Sequence, residues 1–129
     1  MHSARCCRRG RVAQIGWRPA TADDLERYYG SRPQTTVKAL VGLMDGEPAG
    51  VIGIAREQWT ARFFSDFKPE FEPYLSSIVI MRGIKAGLEL VKNYPADVYA
   101  VVGHEKGGDI LQRLGFVPTD KENTFVWVN

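Results

Sequence analysis

Asp45-Gly46, set between two apolar runs, constrains this chain more than any other pair of residues. An Asp-Gly pair suits the two positive-φ positions of the tight turn whose twist matches paired strands, so the flanking runs are expected to form a hairpin. Thr36–Met44 is rich in β-branched and apolar residues, and Ala49–Ala55 reads as its partner. Gly50 and Gly53 stand inside that second strand, where glycine weakens pairing and marks a bulge or the close approach of another backbone. Trp59–Phe64 reads as a third antiparallel strand.

The segments on either side supply the cover that such a hairpin needs. Ala13–Arg18 alternates weakly and stops at Pro19. Thr21, Asp23 and Asp24 then place a hydroxyl cap and two acids where a helix's free amides and positive dipole end favour them. A short helix over Ala22–Tyr29 is expected, closed by Gly30, with Ser31–Thr35 as loop.

Phe71, Tyr74, Ile78, Met81, Ile84, Leu88, Val91 and Tyr94 recur at spacings of three and four, which is one face of a helix from about Pro73 to Tyr94. The competing reading makes Ile78–Met81 a buried strand that turns at Arg82-Gly83 into a shorter helix. Eight matches to the helical period outweigh a four-residue apolar run, and Gly83 and Gly87 then form a smooth spot facing the sheet. Pro95 ends the helix. Asp97–Val102 reads as a buried strand, Asp109–Leu114 as an amphipathic helix with Gly115 as its cap, and Phe116-Val117 with Thr124–Val128 as a closing pair of strands. Phe125 and Trp127 alternate with Val126 and Val128, so the last strand has two apolar faces: either both are covered or it is an edge that pairs with another subunit. The order predicts an α+β domain, a mostly antiparallel sheet with one parallel crossover, flanked by helices.

Length and composition agree with one such domain. The chain has 129 residues, 44% hydrophobic and 25% charged, which excludes wholesale disorder, a collagen-like repeat and a disulfide-rich miniprotein. The net charge of +2 is uneven: Arg5, Arg8, Arg9, Arg11 and Arg18 face no acid in the first eighteen residues, leaving 12 basic against 15 acidic residues beyond. Residues 1–12 therefore read as a basic arm and 13–129 as the folded domain. Such an arm is either simply solvated or contacts nucleic acid, an acidic partner or a membrane surface. The neighbours Cys6 and Cys7 cannot form an ordinary disulfide and lack metal-ligand spacing, which fits a reducing compartment. No signal-peptide pattern and no run of eighteen apolar residues occurs, so a soluble intracellular protein is expected.

Three stretches carry a resemblance in family order: Arg18-Pro19-Ala20-Thr21 leading into Asp24-Leu25, the hairpin Asp45-Gly46-Glu47-Pro48-Ala49-Gly50-Val51-Ile52-Gly53, and Leu111-Gln112-Arg113-Leu114-Gly115-Phe116-Val117-Pro118. From about Ile15 onward the chain resembles the GNAT superfamily of acyl-CoA-dependent N-acetyltransferases. The resemblance implies acetyl-CoA as cofactor, lying where two neighbouring strands splay apart, with its pyrophosphate on amides at the start of the main helix. The family's signature there is Arg or Gln, two residues, Gly, one residue, then Gly or Ala. The nearest stretch, Arg82-Gly83-Ile84-Lys85-Ala86-Gly87, has the arginine and the last glycine but Lys85 in the central position. If the long helix is correct this stretch lies mid-helix, and the cofactor falls to strand amides near Phe64 and Ser65 and to the loop carrying Lys68. That loop also bears Asp66, Glu70 and Glu72, a poor setting for an anion.

The tyrosine that many members place four residues before the Gly-Phe glycine, to reprotonate the departing thiolate, is Leu111 here, and the asparagine seven residues earlier is His104. These losses, with Lys92-Asn93-Tyr94, the strand Val98–Val102 and the helix Ile110–Leu114, resemble the small acetyltransferase-like internal virion proteins of short-tailed bacteriophages. That corner implies a virion-associated or assembly protein in the host cytoplasm or the particle. Its chemistry would be weak or lost, its partners other virion proteins or a second copy, and its arm a clip onto an acidic neighbour or nucleic acid. The alternative is an active N-acetyltransferase acting on a primary amine. Glu57 is then a candidate base, since an ammonium must lose its proton before attack; the plainer reading is an inert surface glutamate. His104, at a strand's C-terminal end, is a candidate base or proton donor, or else a solvated loop residue. The aromatics Trp59, Phe63, Phe64, Phe67, Phe71 and Tyr74 read as core or as a pocket lining.

Overall fold

Thr21 starts the first helix by the reciprocal arrangement its sequence suggests: its hydroxyl accepts from the Asp24 amide at 3.1 Å, and its own amide donates to Asp24 Oδ2 at 2.8 Å. That helix, α1 (Ala22–Tyr29), follows strand β1 (Ile15–Pro19) and ends at Gly30, whose φ of +82° no β-carbon opposes. Asp45 and Gly46, at φ +51° and +87°, form the turn between β2 (Val37–Met44) and β3 (Glu47–Glu57). The computed structural model describes residues 14–74, 78–102 and 105–129; the expectations for the arm and for His104 lie outside them.

Among the described residues, one sheet runs in the order β1-β2-β3-β4-β5-β7-β6. β4 is Thr60–Phe67, β5 Val98–Val101, β6 Val117–Pro118 and β7 Thr124–Trp127. All neighbours are antiparallel except β4 and β5. The expected α+β architecture with one parallel crossover is thus present. β7 is flanked on both sides rather than being an edge. Phe125 is buried and Trp127 packs edge-on against Phe116, while Val128 stays exposed.

The main helix, α2 (Ile78–Lys92), is shorter than the periodicity suggests. Pro73 sits in a separate 3-10 turn, Pro69–Tyr74. Proline has no amide to donate to a longer helix, and the turn buries Phe71 against the sheet at Gly42 and Gly50. At the far end the Tyr94 amide closes a last tight turn on the Val91 carbonyl, and Pro95 stops it. Gly83 and Gly87 face the sheet as expected. A β-carbon at Gly83 would stand 2.3 Å from the Trp17 ring, and one at Gly87 2.5 Å from Ile52. The Trp17 indole also donates to the Val79 carbonyl at 2.9 Å, which ties β1 to the first turn of α2.

The last helix, α3 (Glu105–Leu114), begins four residues before the sequence suggests. Its Gly108 lies against Phe125, so the glycine pair belongs to the helix rather than to a loop. Helices α2 and α3 cover one face of the sheet over Ile54, Ala61, Val98, Ala100 and Phe125, with Leu88, Val91, Leu111 and Phe116 closing that core. Helix α1 lies on the opposite face, where Leu25 is buried and Arg18 reaches Asp24. Of the clustered aromatics, Phe71 is core and Phe63 packs on Phe116, while Trp59 at the β3–β4 tip is 94% exposed.

Candidate acyl-transfer site

Everything in the candidate site hangs on β4. Its pairing with β5 covers only Ala61 with Val98 and Arg62 with Tyr99. Beyond Arg62, β4 continues to Phe67 with β3 as its one strand partner among the described residues, while β5, paired with β7 along its whole length, runs on to Val101 without a registered partner in β4. The two parallel strands therefore part into a wedge. Successive backbone groups of a strand point alternately to its two sides, so part of the Phe63–Phe67 backbone faces the wedge without a strand partner. An extended amide-bearing chain fits such an edge by adding hydrogen bonds of the kind a strand would make.

Side chains along β4 alternate between faces. Phe63, Ser65 and Phe67 share the face of Ile52 and Ile54, which α2 covers; Arg62, Phe64 and Asp66 share the face of Ala55, on the side of α1. On that second face a cleft of about 470 Å³ opens between β4, the end of α1 and the loop after it, lined among others by Tyr29, Arg62, Phe64 and Asp66. Asp66 Oδ2 accepts from the Tyr29 hydroxyl at 2.5 Å. Burial, and then that bond to Asp66, raise the Tyr29 phenol well above its ordinary value, so it stays a proton donor throughout the physiological range. Burial, with Asp66 and Glu70 nearby, pushes Tyr28 up to about 12.

The candidate residues are spread around this geometry. Phe64 lines the cleft, whereas the Ser65 side chain lies on the other face of β4. Lys68 follows the strand: its amide donates to the Ala49 carbonyl at 2.8 Å and its ammonium stands 5.0 Å from the centre of the Tyr28 ring. Glu57 is on the cleft's face of the sheet but at the hairpin end, where its Oε1 takes a 2.6 Å hydrogen bond from Arg62 Nε. His104 lies outside the described residues. Arg82 and Lys85 point to solvent from the interior of α2, with Gly83 and Gly87 against the sheet, so this stretch is helix packing and offers no free amides. Leu111, where the resemblance calls for a tyrosine, is 7% exposed in the main core.

The sequence offers no role for Tyr29 or Arg62 and reads Asp66 as a loop acid, whereas it lies in β4. The signal was the alternation Arg62, Phe64, Asp66, hidden because the strand is expected to end at Phe64. No group of acidic, histidine or cysteine side chains able to hold a metal occurs among the described residues, and no described helix is long and apolar enough to cross a membrane.

No family model matches the chain, and no curated protein sequence matches it. Solved structures do. An acetyltransferase of the GNAT family from Streptococcus pneumoniae superposes with a TM-score of 0.60 at 10% identity, over 90% of this chain and 100% of that one. AtaTR bound with acetyl-CoA gives 0.53 at 10% identity, over 88% and 92%. An uncharacterized protein from Bacillus halodurans gives 0.51 at 14% identity, over 88% and 82%. With the strand order and the single parallel pair, these likenesses establish the architecture: the chain has the GNAT-like α+β fold.

Proposed function

We propose that this protein is a weak acetyl-CoA-dependent N-acetyltransferase that acts on a primary amine. The observation that carries the reading is the parting of β4 and β5 after Arg62, with a cleft of mixed polar and apolar lining on the face of α1. The backbone of Phe63–Phe67 fits the pantetheine arm, and a neighbour in fold is bound with acetyl-CoA. When bound, acetyl-CoA supplies a thioester as acyl donor. The cleft side of β4 would receive the amine, and Glu57 or His104 would take its ammonium proton, directly or through water.

The fit is poorer at the two places that make the family fast. Arg82–Gly87 is packed helix, which leaves Ser65 and Lys68 as the residues we assign to the phosphates. Leu111 cannot donate a proton to a leaving thiolate. Weak turnover follows from those two losses.

The same losses favour a second reading, a GNAT-fold protein retained for assembly in a phage particle. There the sheet end would meet other virion proteins or a second copy, and the arginine arm would meet nucleic acid or an acidic neighbour.

Thermal unfolding with and without millimolar acetyl-CoA separates the two. At about 100 times its dissociation constant a ligand adds about 2.7 kcal/mol, which moves the midpoint by several degrees in a domain of this size. That shift is the expected result, and acetylation of an amine probe should then fall in Glu57→Gln or in His104→Ala, whichever holds the base. An unmoved midpoint in a cooperatively unfolding protein would leave the assembly reading.

A further inference from the structure

We infer that the cleft beside β4 takes an elongated zwitterion, an ω-amino carboxylate, with its ammonium on Asp66 and its carboxylate on Arg62. The inference rests on the acyl-transfer reading and names the class of its acceptor; it places Glu57, which is bonded to Arg62, at the carboxylate end, so in this pose Glu57 orients Arg62 and is not the base.

The argument begins with register. Arg62, Phe64 and Asp66 occupy alternate positions of β4 and project to one face, so a cation, an aromatic ring and an anion stand in a row along the cleft floor. The outer two α-carbons are about 13 Å apart at the rise of an extended strand. That separation is too long for an α-amino acid's adjacent charges to bridge. It narrows because Arg62 leans inward: its guanidinium carbon is 5.8 Å from the centre of the Phe64 ring.

Each charged group is held yet keeps bonding capacity. Arg62 gives Nε to Glu57, which fixes the guanidinium plane and leaves its terminal amino groups, the pair that suits a carboxylate. Asp66 Oδ2 accepts from the Tyr29 hydroxyl, which leaves Oδ1 for an ammonium. Phe64 between them presents an apolar surface to the methylenes of the ligand. A simple monoamine would satisfy Asp66 and leave Arg62 without its anion. The loop after α1 contributes Arg32, paired with Glu26 at 3.4 Å, as a second cation in the cleft lining.

The test is calorimetric titration of the full chain with ε-aminocaproate, hexylamine and hexanoate, each with and without acetyl-CoA. The zwitterion is expected to bind at least about tenfold more tightly than either singly charged analogue, because each analogue forfeits one charge-assisted contact. Asp66→Asn should reduce the zwitterion to the affinity of hexanoate, and Arg62→Gln to that of hexylamine. Both positions are exposed, and the three-ligand comparison on the unaltered protein stands whether or not a variant folds. Equal binding of ε-aminocaproate and hexylamine, or no binding of the zwitterion in either state, overturns the inference. Zwitterion binding without any effect of acetyl-CoA on the midpoint overturns the acyl-transfer reading and leaves the cleft assignment intact.

Discussion

Asp24 shows how much one side chain can carry in a domain of this size. It is 2% exposed, caps α1 with Thr21, and receives Arg18 through both guanidinium amino groups, at 2.5 and 2.8 Å. The Arg18 hydrogen bonds outweigh burial, and with the Thr21 bonds they hold the carboxyl well below its ordinary 3.8. Because the folded value is depressed, the stabilisation is complete above the ordinary value and drains away as pH falls through the acid range below it. Asp24→Asn should therefore lower the unfolding midpoint by several degrees near neutrality, and the gap to the unaltered protein should narrow steadily as pH falls below the ordinary carboxylate value. A gap independent of pH, measured by thermal melts across that range, would mean that the ionised form of Asp24 contributes nothing. The cap and both acids were legible from Thr21-Ala22-Asp23-Asp24; the partner Arg18 was not, since a salt bridge between a strand and a helix depends on how the two pack.

The elements divide in the same way. The β2–β3 hairpin was legible because its turn chemistry is local: Asp45 and Gly46 adopt the positive φ that the dipeptide favours. The limits of α2 and α3 were harder, since Pro73 fits a first helical turn and a 3-10 turn equally well, and a glycine pair suits a loop until Phe125 is seen to need the space. Gly83 is the sharpest case at this scale. In an exposed helix, alanine in place of glycine would gain about 1 kcal/mol from helix propensity. Here the added carbon would meet the Trp17 ring at 2.3 Å, and overpacking of that kind costs about 1–3 kcal/mol. Gly83→Ala should be net destabilising in denaturant titration, and a stabilised variant would mean that β1 does not seat its tryptophan on α2.

For the whole molecule, the wedge between β4 and β5 is the feature on which the proposed site rests. A sheet paired continuously across these strands would have closed it, and the two registered pairs are enough to align β5 without doing so. Amides of Phe63–Phe67 that face the wedge should exchange with solvent faster than those of the same strand that face β3, and acetyl-CoA should slow the first group and leave β1 and β2 unchanged. Uniform protection along β4 without ligand, read by hydrogen-exchange mass spectrometry or NMR, would mean that the strand edge is already occupied. The family resemblance points to this strand, at Phe64 and Ser65, for the candidate site, but Asp66 and Tyr29 are 37 positions apart in the chain and only folding joins them.

The sequence by itself determined the element order, the tight turns and caps, and the face each helix buries, because these follow from hydrophobic period and from bonds between residues within a few positions of one another. Tertiary structure alone decided where β4 and β5 separate, which charged side chains meet in the cleft, and that the Gly83 face of the main helix seats the Trp17 ring. Those outcomes depend on distances between residues far apart in the chain, and such distances are fixed only when the sheet's twist and the packing of the helices against it are settled together.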